Sequence, residues 1–146
     1  MNHYLFPSSK LFFLPKIEPL EQIPNPPIHL FATGSMATLQ QPCIAIVGTR
    51  NPSLYGIRSA IIFSKRLASL GFTIVSGLAR GIDSYAHRGA LIAGGKTIAV
   101  LGHGLNRIYP PENKGLAQQI LKHEGLLVSE YDPEEDRKST RLNSSH

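Results

Sequence analysis

"CIAIVGTRNPSLYGIRSAIIFSKRLASLGFTIVSG", residues 43–77, decides the fold. It opens on an unbroken apolar run from Cys43 to Val47, the pattern of a strand buried on both faces of a parallel sheet. Gly48, Thr49 and Arg50 break that run. Ile57, Ile61, Ile62, Leu67 and Leu70 then follow at helical spacing, with Arg58, Lys65 and Arg66 left for the outer face and Gly71 as the stop. A second apolar run, "FTIVSG", closes the stretch. Strand, helix and strand in this order predict parallel pairing through a right-handed crossover.

Outward from there the alternation continues. "DSYAHRGALIAGG" (83–95) reads as a second helix with Asp83 as its N-cap and Gly94-Gly95 as its end, and "KTIAVLG" (96–102) as a third strand. "ENKGLAQQILKHEG" (112–125) and "LLVSE" (126–130) supply a third helix and a fourth strand. Upstream, the proline-rich "FLPKIEPLEQIPNPPIHLF" (13–31) has fixed φ angles and missing donors, so it favours extended chain laid over the core, and "IHLFATG" offers one short strand ending at Gly34. The final "DRKSTRLNSSH" (136–146) has no apolar periodicity. The expected organisation is therefore a proline-rich segment over 1–42 packing on a core over 43–131, and a disordered or artefactual tail over 132–146.

With 146 residues, 42% hydrophobic and 17% charged, the chain has the size and composition of one globular domain. No apolar run approaches the roughly 18 residues that span a membrane. "LFFLP" is too short for a secretory signal, so the expected location is the cytoplasm. Cys43, the single cysteine, cannot build a disulfide framework and is expected to be a small core residue. No His, Cys, Asp and Glu cluster has metal-ligand spacing, and no cofactor motif is present: "GTRNPS" departs from Gly-x-Gly-x-x-Gly. The net charge of +5 is unevenly spread: residues 43–129 carry ten Lys or Arg against three acids, whereas 130–136 carry five acids and no base. A basic folded segment suits a polyanionic partner, although a solvated charged surface accounts for the same numbers.

Ligands of open parallel α/β sheets bind beyond the carboxyl ends of the strands. Three loops lie there: "GTRNPSLYG", "SGLARGID" and "GHGLNRIYPPEN". Each carries glycines and one arginine, Arg50, Arg80 and Arg107, so the expectation is three guanidinium groups aimed at one crevice and suited to phosphate oxygens. Gly48, Thr49, Ser76, Gly77, Gly81, Gly102, Gly104, Tyr109 and Asn113 complete the candidate phosphate or nucleic-acid site. Backbone N–H groups of the glycine loops and the following helix starts are further candidates for the anion. Tyr109 reads either as an aromatic platform for a base or as a residue packed on the prolines. His103 reads either as a ligand contact or as a solvated turn residue. Asp83 and His87, four apart, form either an acid-base pair or, the preferred reading, a helix cap and a histidine that fixes the loop. Both are assigned structural roles, and no catalytic residue is assigned; Ser76 lacks the Gly-x-Ser-x-Gly elbow of a nucleophile.

The segments "AIVGTR", "SGLARGIDSYAHRGAL", "GGKTIAVLGHGLNRIYPPEN" and "GLLVSEY", in this order and spacing, resemble the bacterial DNA-processing protein A family, DprA or Smf, from about Leu20 to Tyr131. The resemblance implies an α/β fold, a Rossmann-like parallel sheet with helices on both faces preceded by the proline-rich extended segment. It also implies binding of single-stranded DNA without catalytic turnover, in natural transformation: protection of incoming strands and loading of the RecA recombinase by a homodimer. Gly48, Thr49 and Arg50 match the family's Gly-Ser/Thr-Arg contact, which points Arg50 at a backbone phosphate. Ser76, Gly77, Arg80, Gly81 and Asp83 match a second signature, and Tyr109, Pro110 and Asn113 a third. His103 and Asn106 depart from the pattern, and after "SEY" the family's Phe-Pro-x-Arg-Asn-Arg-Ile-Ile segment does not follow, nor does the N-terminal helical domain precede. A truncated core is the expectation, its last strand left as an exposed edge. The alternative reading is a nucleoside-monophosphate phosphoribohydrolase; its Pro-Gly-Gly-x-Gly-Thr loop is not found, and Asp83 is the core-loop carboxylate that reading offers.

Overall fold

A computed structural model describes residues 12–13 and 17–134. They form one six-stranded sheet, with β1 (Phe12–Phe13), β2 (Phe31–Gly34), β3 (Cys43–Ala45), β4 (Thr73–Ser76), β5 (Thr97–Leu101) and β6 (Leu126–Ser129) in the order β1-β2-β6-β5-β4-β3. The helices are α1 (Glu18–Glu21), α2 (Leu54–Ser69), α3 (Ile82–Ile92) and α4 (Lys114–Lys122). β3 to β6 are parallel, as the alternation predicts; β2 runs antiparallel to β6 and β1 antiparallel to β2. The α/β Rossmann-like class is thus the observed one. The expected tail lies almost wholly outside the described residues.

Each parallel crossover steps one strand in the same direction, and equal steps of one hand place their helices on one side. Ile44, Ile46 and Ile74 accordingly pack with Ala68 of α2 and Ala86 and Ala90 of α3, while Ala99, Leu101 and Leu127 pack with Leu116, Ala117 and Ile120 of α4. The other face, Ala32, Val75, Ile98, Leu126 and Val128, is met by Leu30 and Leu39 from the segment before β3. Among the described residues the three long helices therefore share one face, where helices on both faces were expected.

Two further expectations need correction. "CIAIV" is not buried on both faces: β3 is an edge strand, Cys43 and Ala45 are exposed, and Val47 is 68% exposed. The last strand is not an edge, because β2 from the proline-rich segment pairs with β6 along Phe31↔Ser129 to Gly34↔Leu126. That segment thus adds a strand to the sheet besides covering one of its faces with Leu30 and Leu39.

The helix bounds fall within a few residues of those read from periodicity. Ser53 caps α2, its Oγ accepting from Gly56 N–H at 3.1 Å. Asp83 does not cap α3; the N-cap is Gly81. α2 and α3 pack closely because Gly89 has no side chain: a Cβ there would collide with Ser64 Oγ and lie 2.7 Å from the Ile61 carbonyl.

His87 neither pairs with Asp83 nor touches the loop. Its Nδ1–H donates to Thr97 Oγ1 (2.7 Å), whose own hydroxyl donates to the Ile74 carbonyl (2.6 Å), so a helix, β5 and β4 are joined inside the core. The ring is fully buried and its Nε2 has no hydrogen-bond partner. Desolvation alone pushes its pKa from 6.5 down to about 3. The folded protein therefore keeps His87 neutral at pH values where the unfolded chain protonates it. The stabilisation is complete above pH 6.5 and is lost as the pH falls towards 3. Between pH 7 and pH 5 this group is expected to cost about 2 kcal/mol. Urea midpoints of the protein and of His87→Gln at the two pH values check this: the variant's midpoint should move less.

Candidate functional site

The loops after β3, β4 and β5 meet at the carboxyl end of the parallel strands, around a crevice of about 180 Å³. Arg50, Gly77, Ala79, Arg80, Gly102, His103, Tyr109 and Pro110 line it. Of the twelve candidate contact residues, Arg50, Gly77, Arg80, Gly102 and Tyr109 are brought together there. Gly48, Thr49, Ser76, Gly81, Gly104, Arg107 and Asn113 are not among its lining.

These seven have other positions. A Cβ on Gly48 would lie 2.8 Å from the Ile82 side chain, so the close approach at Gly48 is to α3 rather than to a ligand. The Thr49 carbonyl accepts from Ile82 N–H (3.1 Å), and Thr49 Oγ1 accepts from Asn51 N–H (3.1 Å). Gly81, at φ 81°, presses its Cα against the Thr49 carbonyl and the Arg50 backbone, which locks the first two loops together. Ser76 is buried and donates to the Ile46 carbonyl at 2.6 Å, tying β4 to the edge strand. Gly104 abuts the backbone of Asp132 and Pro133, so the chain after β6 runs against the third loop there. Arg107 is exposed outside the crevice. Asn113 is 5% exposed, and its Nδ2 donates to the Leu78 carbonyl (2.8 Å) and to Ser84 Oγ (2.9 Å). It clamps the third loop to the second and reaches no ligand position.

Two backbone N–H groups of the second loop are also engaged. Asp83, almost buried, folds its carboxylate back so that Oδ2 accepts from Gly77 N–H (3.1 Å) and Ala79 N–H (3.4 Å). These two amides are satisfied internally, and with Ile82 N–H given to Thr49 the first amide of α3 is spoken for as well. Those three amides are closed to an anion, and the charged receptors that line the crevice are its two arginines.

Two guanidinium groups reach it in different states. Arg80 is forked to Glu112, Nε to Oε2 at 2.7 Å and Nη2 to Oε1 at 3.2 Å, with both side chains about half exposed. The Arg80 partner, aided by a backbone hydrogen bond, holds the Glu112 carboxyl below its usual range. Tyr109, 46% exposed, brings its hydroxyl to the same guanidinium. Arg50 has no acceptor among the described residues and is exposed on the crevice wall. Glu112 is not among the candidate residues above; an acid beside Pro-Pro in a loop that otherwise carries Arg107 is the signal that points to it.

His103 is not a solvated turn residue. It is 3% exposed, its Nδ1–H donates to the Gly104 carbonyl (2.8 Å), and its Nε2 accepts from Tyr109 N–H (3.2 Å). Ser129 Oγ donates to the His103 carbonyl at 2.6 Å. The ring thus sets the path of the third loop from β6 to Tyr109 while lining the crevice. No group of three or more His, Cys, Asp or Glu able to hold a metal ion occurs among the described residues.

Comparison with known proteins agrees with this architecture. Protein Smf of Escherichia coli is 43% identical over 130 residues, 89% of this chain and 34% of that protein. The DNA processing protein DprA of Bacillus subtilis is 45% identical over 116 residues, 79% of this chain and 39% of that protein. The chain thus spans little more than a third of these relatives' length. Among solved structures, the Helicobacter pylori DNA processing protein A, described for its single-stranded DNA binding mode, superposes with a TM-score of 0.79 at 33% identity, over 87% of this chain and 58% of that one. The Streptococcus pneumoniae DprA structure gives 0.75 at 40% identity, over 86% and 44%. Residues 5–144 match the family described as DNA recombination-mediator protein A, and the chain belongs to that family.

Proposed function

We propose that the crevice at the carboxyl end of β3–β5 binds the phosphate backbone of single-stranded DNA, and that the chain serves DNA processing during DNA uptake in the cytoplasm. The observation that carries this reading is the placement of Arg50, with no acceptor of its own among the described residues, on the wall of a crevice whose other arginine is already forked to Glu112 and two of whose loop amides are held by Asp83. A guanidinium fork there suits phosphate oxygens, and Tyr109 beside it offers an aromatic face for a base. The likeness to a relative described as binding single-stranded DNA supports the choice of polyanion. Protection of incoming strands, RecA loading and homodimer formation extend the proposal to the family's whole-length function.

No reaction is assigned. The phosphoribohydrolase reading needs a carboxylate at the scissile bond, and the two beside this crevice are engaged, Asp83 by loop amides and Glu112 by Arg80. No helix among the described residues is long and apolar enough to cross a membrane.

Fluorescence anisotropy of a labelled oligonucleotide over a salt series tests the reading. The single strand is expected to bind more tightly than a duplex of the same sequence. Its log affinity should fall against log salt by about 0.7 for each phosphate contacted. Equal affinity for the duplex would overturn single-strand recognition, and no binding at low salt by a cooperatively folding sample would overturn the site.

A further inference from the structure

The Arg80–Glu112 fork stands at the mouth of the crevice and does more than decorate it. Nε and Nη2 of Arg80, the edge with which arginine grips two oxygens of a phosphate, are both given to the Glu112 carboxylate. Glu112 is not carried on a loose loop. It follows Pro110 and Pro111 and precedes Asn113, whose buried amide is pinned to Leu78 of the facing loop and to Ser84 of α3. Tyr109, from the same loop, reaches Arg80 as well. A fixed backbone thus holds a two-oxygen anion against the guanidinium, in the place where a bound phosphate would put its own.

We propose that Glu112 is a carboxylate latch that occupies Arg80 in the free protein and is displaced by a DNA phosphate, so that it sets affinity and selects long polyanions over isolated phosphate. This rests on the crevice being the DNA site. Arg50 takes a first phosphate without competition. A second phosphate on the same strand then meets Arg80 at high local concentration and exchanges with Glu112, whereas a free phosphate has no such advantage. Exchange trades one ion pair for another, so Arg80 contributes less to binding than its position suggests.

The test compares Glu112→Gln, Glu112→Gln with Arg80→Ala, and Arg50→Ala by oligonucleotide anisotropy over a salt series. Glu124→Gln serves as the charge control: it removes the same charge from an ion pair with Lys96 (2.9 Å), which lies just before β5, at the opposite end of the strand from the crevice. Glu112→Gln is expected to bind about two- to fivefold more tightly, the range one exposed ion pair commands, with a salt slope steeper by about 0.7. The gain should vanish in the double variant and not appear in Glu124→Gln. Inorganic phosphate should compete better against Glu112→Gln than against the unaltered protein. Unchanged or weaker binding by Glu112→Gln, while Arg50→Ala still collapses binding, overturns the latch and leaves the site standing. An equal gain in Glu124→Gln overturns it in favour of general charge repulsion. No loss in Arg50→Ala overturns the site itself.

Discussion

Arg50→Ala is expected to weaken single-stranded DNA binding by about 10- to 100-fold, the cost of removing one charge-assisted hydrogen-bonding group from a site with few others. The size of the effect follows from what the remaining receptors are doing. Gly77 and Ala79 N–H are bonded to Asp83, Ile82 N–H to Thr49, and the Arg80 fork to Glu112. Arg50 is the crevice arginine whose capacity is unspent. Its backbone is held by Gly81 and by the Ile82 N–H bond to the preceding carbonyl, so the guanidinium starts from a fixed point and little ordering is lost on binding. The side chain itself is exposed and supports no packing, so the melting temperature should stay where it is. The salt slope should become shallower by about 0.7, one phosphate fewer. Arg107→Ala removes the same charge from outside the crevice and is expected to cost less. Equal losses in the two variants would mean that net charge, not the crevice, attracts the strand.

Why the place of Arg50 at a strand end is legible in the sequence, while the pairing of Glu112 with Arg80 is not, is a matter of range. The Gly-Thr-Arg break at the end of an apolar run fixes Arg50 at a strand end within a few residues, using local chemistry alone. The helices are legible for a similar reason, since Ile57, Ile61 and Leu67 reveal their spacing without knowledge of what they pack on. Burial of the first strand is not local. An unbroken apolar run predicts cover on both faces, yet β3 lies at the sheet edge, where Ile44 and Ile46 meet α2 and α3 and Val47 faces out. Partners of polar side chains are still less local. Asn113 reaches back 35 residues to the Leu78 carbonyl, Ser76 reaches 30 to Ile46, and Arg80 reaches 32 forward to Glu112. In a glycine-rich loop each of these looks like a ligand contact. The register of three loops at one sheet edge decides which of them turn inward. Asp83 shows the same ambiguity over a shorter distance: four to six residues separate it from the amides it binds, and the sequence alone favours a cap on its own helix.

Gly81→Ala is expected to be the most disruptive small substitution in the site, and for two separable reasons. At φ 81° and ψ −132° the backbone is in a region that favours glycine, so any Cβ adds strain. That Cβ would also drive into the Thr49 carbonyl and stand 2.8 Å from Arg50 Cα, both backbone atoms with no side-chain rotamer to yield. The first loop must move away from α3, and the Ile82 N–H to Thr49 bond goes with it. Strain and overpacking together are expected to cost about 3 kcal/mol or more, which lowers the melting temperature by roughly 10 °C in a chain of this size. Gly94→Ala separates the two terms: Gly94 has φ 70° but open space within 4 Å, so it carries strain without collision and should lose only about 1 kcal/mol. Because the displaced loop carries Arg50, Gly81→Ala should also weaken DNA binding at temperatures where it is still folded, whereas Gly94→Ala should bind normally. Calorimetry and anisotropy on the two variants decide the matter. Equal melting losses with unaltered binding would mean that the loops are not coupled through Gly81, and that Arg50 owes its position to the strand alone.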